Sequence, residues 1–172
     1  MNDNELVDIV DRDCNIIDKT TKDEAHRKGL LHPTVIAEVI NSKKEWLLVT
    51  QSQHKQEPGK FISPMGGHVT HGESFEEALK REMSEELGMT DFSYKDKGRF
   101  IYNVFVKNKQ ENHYFIVYEV FSDNIPKLSE ESSEYRYFTV ENLKRELKEN
   151  SQIFGNSFLS VLENLYPELL QK

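Results

Sequence analysis

Residues 66–89, GGHVTHGESFEEALKREMSEELGM, carry six carboxylates and four glycines. Within it Phe75, Leu79, Met83 and Leu87 recur at every fourth position, which predicts a helix with one apolar stripe. Glu82, Glu85 and Glu86 stand at i, i+3 and i+4, so one helical face presents three carboxylates as neighbours. On the same wheel Glu86 falls inside the apolar stripe, between Phe75 and Leu79. An ionised carboxylate at the edge of a core must be paired, bound to a cation or protonated, and like charges at helical spacing repel. A divalent cation answers both demands, and carboxylate, carbonyl, water and phosphate oxygens form the hard ligand set of Mg²⁺ or Mn²⁺. A solvated amphipathic helix would explain the acids alone. The flanking residues favour the cation: Glu73 stands just before the helix, where a carboxylate complements the dipole. Gly66 and Gly67 permit close backbone approach, and Gly88 ends the helix.

The elements that must position these groups follow from patterning. VDIVDRDCNIID predicts a strand, a turn and a second strand. TKDEAHRKG opens on Thr, places acids early and bases late, and closes on Gly, which predicts a short helix. TVIAEVI and EWLLVTQ read as strands around a turn at 41–44, and EPGK, 57–60, as a turn. RFIYNVFVKN and HYFIVYEVF, separated by KQEN, predict a hairpin. YRYFT, 135–139, is a short strand, and VENLKRELKEN has helical spacing through Val140, Leu143 and Leu147. A last helix over 155–172 carries Phe158, Val161, Leu162, Leu165 and Tyr166 on one side, with Pro167 kinking or ending it. No repeat or linker interrupts this order. The prediction is one α/β domain over 1–172, with N-terminal strands and a short helix in 1–33 and helices packed on a mixed sheet.

At 172 residues the chain is long enough for one domain with a proper core and short for two. A net charge of −8 argues against a broad electrostatic grip on nucleic acid, which needs clustered Lys and Arg. No stretch approaches a membrane span, and the acidic start MNDNELVDIV does not resemble a secretion signal. The expectation is a cytoplasmic protein whose partner is a small molecule, not nucleic acid or membrane. A single cysteine, Cys14, excludes an internal disulfide and a cysteine-cluster zinc site, and reads as a small buried side chain. Oligomeric state is open between monomer and homodimer.

Gly67, Glu73, Arg81, Glu82, Met83, Glu85, Glu86, Gly88 and Met89 match, with no position missing, the 23-residue Nudix box G-x(5)-E-x(7)-R-E-U-x-E-E-x-G-U, where U is bulky and aliphatic. PGKFISPMGGHVTHGES and EYRYFTVENL also resemble segments that flank the box in Nudix domains. The resemblance implies an α/β/α sandwich over nearly the whole chain. It also implies hydrolysis of a nucleoside diphosphate linked to a further moiety, with Mg²⁺ or Mn²⁺. Carried over by position, Glu82, Glu85 and Glu86 hold the metal with the backbone carbonyl of Gly66, while Glu73 and Gly67 support them. One of these glutamates, or a later one such as Glu130, Glu131 or Glu134, deprotonates the attacking water. Arg81 orients the acids through hydrogen bonds.

Upstream, DIVDRDCNIIDKTTKDEAHRKGLLHPTVIAEVI is similar to the N-terminal part of Nudix-type isopentenyl diphosphate isomerases. In those enzymes histidines from comparable places help to hold a metal, and His26, His32 and His68 stand in roughly matching positions here. Against isomerase chemistry, Gly66 occupies the place of a required cysteine, and the isomerases' Glu-x-Glu pair finds Glu111 followed by His113. Hydrolysis therefore ranks above isomerisation, and above a non-catalytic binding module. Each histidine also has a plain reading as a local hydrogen-bonding group. Lys55, Lys60 and Arg27 are candidates for phosphate oxygens and Phe61, Tyr102 or Tyr114 for stacking on a base. All are equally explained as surface charges or core aromatics.

Overall fold

The protein, seen in a computed structural model that describes residues 5–106 and 109–171, consists of the strands Leu6–Val10 (β1) and Ile16–Thr21 (β2), the helix Lys22–Lys28 (α1), and the strands His32–Ile40 (β3), Trp46–Gln51 (β4), Phe61–Ile62 (β5) and Met65–His68 (β6). The helix Phe75–Leu87 (α2) follows, then the strands Ser93–Val106 (β7), Lys109–Phe121 (β8) and Ser132–Phe138 (β9). The chain closes with the helix Val140–Glu149 (α3), a 3₁₀ turn, and the helices Asn156–Leu165 (α4) and Pro167–Leu170 (α5).

Alternation along β3 decides the layers. Val35, Ala37 and Val39 are buried on one face, with Ile36 and Glu38 buried on the other, so this strand needs cover on both sides. It lies at the centre of a sheet ordered β5-β4-β3-β8-β7, with β6 also paired to β3 and β9 to β4. The β3–β8 pair is parallel and the others are antiparallel, which makes the sheet mixed. On one face α2 packs Leu79, Met83 and Leu87 against Val35, Val39, Ile116 and Val120. On the other face Leu143 and Leu147 of α3 and Phe158, Val161 and Leu162 of α4 cover Ile36, Leu48 and Val117. The result is an α/β/α sandwich, with β1 and β2 forming a small separate sheet.

Local chemistry explains the ends of the elements. Thr21 caps α1 by accepting from the Glu24 amide at 3.3 Å, and Gly29 closes it with φ 62°. Ser74 and Glu77 form a capping box at the start of α2, and Gly88 ends that helix with φ 63°.

Three expectations change. The KQEN stretch is not a turn: β8 begins at Lys109, and its pairing with β7 runs through Val104↔Glu111 and Asn103↔Asn112. Here a polar ribbon keeps the ladder because the Gln110 side-chain amide donates to Asn103 and that of Asn103 donates to Asn112. The end of the run RFIYNVFVKN, Lys107 and Asn108, lies outside the described residues. The C-terminal segment is two helices, because Pro167 starts a new one after Tyr166 leaves helical geometry at φ −137°. Cys14 is half-buried in the β1–β2 turn at φ 65°, a backbone role and not a core one. Among the described residues no helix is long and apolar enough to cross a membrane.

Candidate metal centre

α2 runs beside β6, and this pairing brings the box residues together. Arg81 is the hub: Nε and Nη2 donate to Glu73 Oε1 and Oε2, each at 2.8 Å, a two-pronged grip. The same guanidinium donates to Glu82 Oε1 at 2.7 Å, to Glu85 Oε2 at 3.5 Å and to the His68 carbonyl at 2.9 Å. It thereby ties the loop before the helix, the helix and β6 to one planar group. Burial works against ionisation of Glu73, yet the hydrogen bonds from Arg81 and the Thr70 amide hold its carboxyl below the usual range.

Gly67 answers a steric demand, since a Cβ there would land inside the Glu82 carboxyl group. The Gly66 amide donates to Glu86 Oε2 at 3.3 Å. Glu82 and Glu86 line a cleft of about 580 Å³ together with Gly66, Gly67, Lys22, Lys55 and Glu131. Burial pushes the Glu86 carboxyl up to about 8, and the neighbouring Glu82 and Glu131 carboxyls add to the shift. Burial raises Glu82 as well, against the pull of Arg81. Glu85 differs: its side chain is 60% exposed where that of Glu82 is 12% exposed, and it stands outside the cleft walls.

A second cluster borders the same cleft, whose walls include His26, His68, Glu111 and His113, with His32 buried behind them. The parallel register sets His32 of β3 beside His113 of β8, and the antiparallel register sets Thr34 against His68 of β6. His26 arrives from α1, and ligand-capable atoms of His26, His32, His68 and His113 all lie within 4.8 Å of one another. His68 Nε2 and His26 Nε2 are 3.2 Å apart. Glu111 joins them, with Oε2 at 2.6 Å from His113 Nε2 and 3.7 Å from His26 Nε2. Despite burial, the His113 hydrogen bond holds the Glu111 carboxyl down at about 2. Burial lowers the His32 imidazole to about 3 and that of His68 far below its ordinary value, so both are neutral and can offer a lone pair. His32 Nδ1 meets the Leu30 carbonyl at 2.7 Å, while its buried Nε2 has no hydrogen-bond partner among the described residues.

Both clusters fit cations. The first is a crowded hard-oxygen set whose buried acids resist ionising without one, and the second is a set of four imidazoles in which His32 and His68 are neutral and His32 has an orphaned nitrogen.

The model of the NUDIX domain matches residues 30–157. The chain belongs to the Nudix family. Among its Nudix relatives is an uncharacterized Nudix hydrolase of Nostoc sp., 37% identical over 91 residues, covering 52% of this chain and 54% of that protein. The match therefore spans about half the length of that relative. An isopentenyl-diphosphate Delta-isomerase of Photorhabdus laumondii is 27% identical over 164 residues, covering 94% of this chain and 92% of that one. The crystal structure of DR0079 from Deinococcus radiodurans superposes with a TM-score of 0.76 at 23% identity, covering 94% of this chain and 99% of that one.

Within this Nudix fold the remaining candidates separate by position. Lys55 lines the cleft and pairs with Glu131 at 2.7 Å. Lys60 stands outside it, 3.3 Å from Glu57, and exposed Arg27 pairs with Glu24. Tyr102 lines the cleft and stacks on Phe115 at 4.8 Å, whereas Phe61 belongs to the core under α4 and Tyr114 packs on the other side. Of Glu130, Glu131 and Glu134, the cleft walls include Glu131. Sequence reasoning missed Lys22, whose charge bears on His68 and Glu82, and did not count His113 as a member of the histidine cluster. The parallel β3–β8 register is the signal that links His113 to His32, and it is not visible from local pattern.

Proposed function

We propose that this Nudix protein hydrolyses a pyrophosphate linkage in a nucleoside-diphosphate-type or related organic pyrophosphate, using Mg²⁺ or Mn²⁺. The carrying observation is that Glu82 and Glu86 share one cleft with carboxyls raised by burial while Arg81 and the Gly66 amide hold them in place. Glu82 and Glu86, with the Gly66 carbonyl and Glu85 from the cleft margin, are the residues we assign to the ion. When bound, the ion neutralises phosphate oxygens and makes water a nucleophile at neutral pH. Lys55 and Lys22, both in the cleft lining, supply positive charge for the phosphates. Glu131, its Oε1 held by Lys55, is the base we assign for the attacking water. Arg81 touches no substrate in this scheme and keeps the acids in register.

A second ion on His26, His32, His68 and His113 is favoured by the orphaned His32 Nε2. Metal analysis of the protein as isolated should then exceed one ion per chain, and one ion or fewer rejects it. Isomerase activity on isopentenyl diphosphate is the alternative suggested by relatives such as that of Photorhabdus laumondii. The glycine at 66 and the intact acids at 82, 85 and 86 support hydrolysis over it.

The test is a panel of nucleoside di- and triphosphates, dinucleotides, nucleotide sugars and isopentenyl diphosphate, assayed with Mg²⁺, Mn²⁺ or EDTA. Metal-dependent cleavage that Glu86→Gln abolishes supports the assignment. Conversion of isopentenyl diphosphate without cleavage overturns it.

A further inference from the structure

Residues 61–68 change partners midway. Phe61 and Ile62 pair with Thr50 and Val49 of β4, whereas Met65 to His68 pair with Ala37 to Thr34 of β3. β3 pairs with β4 at Val39 and Ile40. The sheet thus forks, and Glu38 stands at the fork, between the part of β3 that holds β6 and the part that holds β4. Ser63, where the chain crosses, donates its hydroxyl to Glu38 Oε1 at 2.6 Å. Glu38 is wholly buried, and its Oε2 has no hydrogen-bond partner among the described residues.

Among the described residues no positively charged side chain pairs with it. Glu119 stands opposite in the parallel register of β8 and is itself engaged by Lys95 and Lys97 of β7. From the C-terminal segment Tyr166 is close enough to feel the Glu38 charge. Burial pushes the Glu38 carboxyl up to about 8 against the pull of the Ser63 hydrogen bond, so near neutrality it is an uncharged acid. A half-satisfied acid in a core costs stability where an aliphatic side chain would not. What it supplies is the hold on Ser63. Three residues further, the Gly66 amide reaches Glu86 Oε2, a Cβ at Gly66 would sit 3.1 Å from Ile36 Cδ1, and Gly67 lies directly under Glu82. A shift of this strand by a few tenths of an ångström therefore moves the cage.

We infer that Glu38 is a positioning residue for the Glu82–Glu86 cation site, acting through Ser63 to keep Gly66 and Gly67 in register. This rests on the metal reading proposed above.

Titration of the full chain with Mn²⁺ alone, followed by electron paramagnetic resonance of the free ion, tests it without a substrate. The relevant site is the one that Glu86→Gln removes. Ser63→Ala and Glu38→Leu should weaken that site about tenfold. Glu38→Gln, which keeps an uncharged group with an acceptor oxygen, should stay within about twofold of wild type. Thermal midpoints recorded in parallel separate loss of register from loss of fold, and Ser63→Ala carries the test if Glu38→Leu does not fold. Wild-type affinity in Ser63→Ala, or an equal loss in Glu38→Gln, overturns the inference and leaves the cage standing. A Mn²⁺ site that survives Glu86→Gln unchanged removes the cage reading and the inference together.

Discussion

Glu86 shows how a single side chain that is costly for the fold can stand where the proposed cation site needs it. It sits where the apolar stripe of α2 meets the cleft, next to Glu82 and facing Glu131, and its carboxyl is pushed up to about 8. Gly67→Ala attacks the same place from the backbone side. Its Cβ would displace the Glu82 carboxyl, so we expect a loss of metal-dependent activity of about 100-fold at a stability cost of about 1–3 kcal/mol, read by kinetics and denaturant melts. Glu38 makes a prediction about pH. Its pKa is near 8 in the folded protein and near the usual carboxylate value when unfolded. Its favourable contribution is therefore complete below about pH 4.5 and is lost as pH rises towards 8, by at most about 1.4 kcal/mol per pH unit. Glu38→Gln has no such titration, so its stability relative to wild type should climb from pH 5 to pH 8 in urea melts. A constant difference across that window would contradict the assignment. The box residues were legible in the sequence because their spacing is confined to one loop and one helix. The choice of Glu131 over Glu130 and Glu134, and the place of Lys22, were not, because loop path and strand register decide them.

At the scale of elements, α2 is useful because its N-terminal loop, its own face and β6 are all tied to Arg81. Arg81→Lys keeps a positive charge but cannot grip Glu73 with two prongs while reaching Glu82 and the His68 carbonyl. We expect activity to fall at least about tenfold with metal affinity falling in step, checked by Mg²⁺ titration of turnover. Unchanged Mg²⁺ dependence would show that the guanidinium fork is dispensable. Helices α1, α2 and α3 were readable from caps and periodicity. The start of β7 was not, because its Ser93–Lys97 stretch is polar and the pairing register slips between Asp96 and Gly98. KQEN also hid its strand character, since cross-strand amide pairs take the place of an apolar pattern.

Across the whole molecule, the sheet forks beneath one cleft and places two cation-type clusters along it, one of carboxylates and one of imidazoles. A mixed sheet with helices packed on it was readable from the strand and helix patterns, while the α/β/α layering was implied by the resemblance to Nudix domains. The meeting of His26, His32, His68 and His113 depends on long-range pairings that a linear pattern does not encode. Without a cation the cleft crowds buried carboxyls that resist ionising, so the fold should be stabilised by divalent ions. At about 100 times the dissociation constant the gain is about 2.7 kcal/mol, or roughly 5–10 °C in the thermal midpoint, and Glu86→Gln should lose most of it. The central claim, that the crowded acids of α2 form a cation site, is tested most directly by crystals soaked in Mn²⁺ and examined by anomalous scattering. We predict a peak in contact with the Glu82 and Glu86 carboxyl oxygens. Well-ordered carboxylates with no peak between them, or a peak confined to the imidazoles, would contradict it.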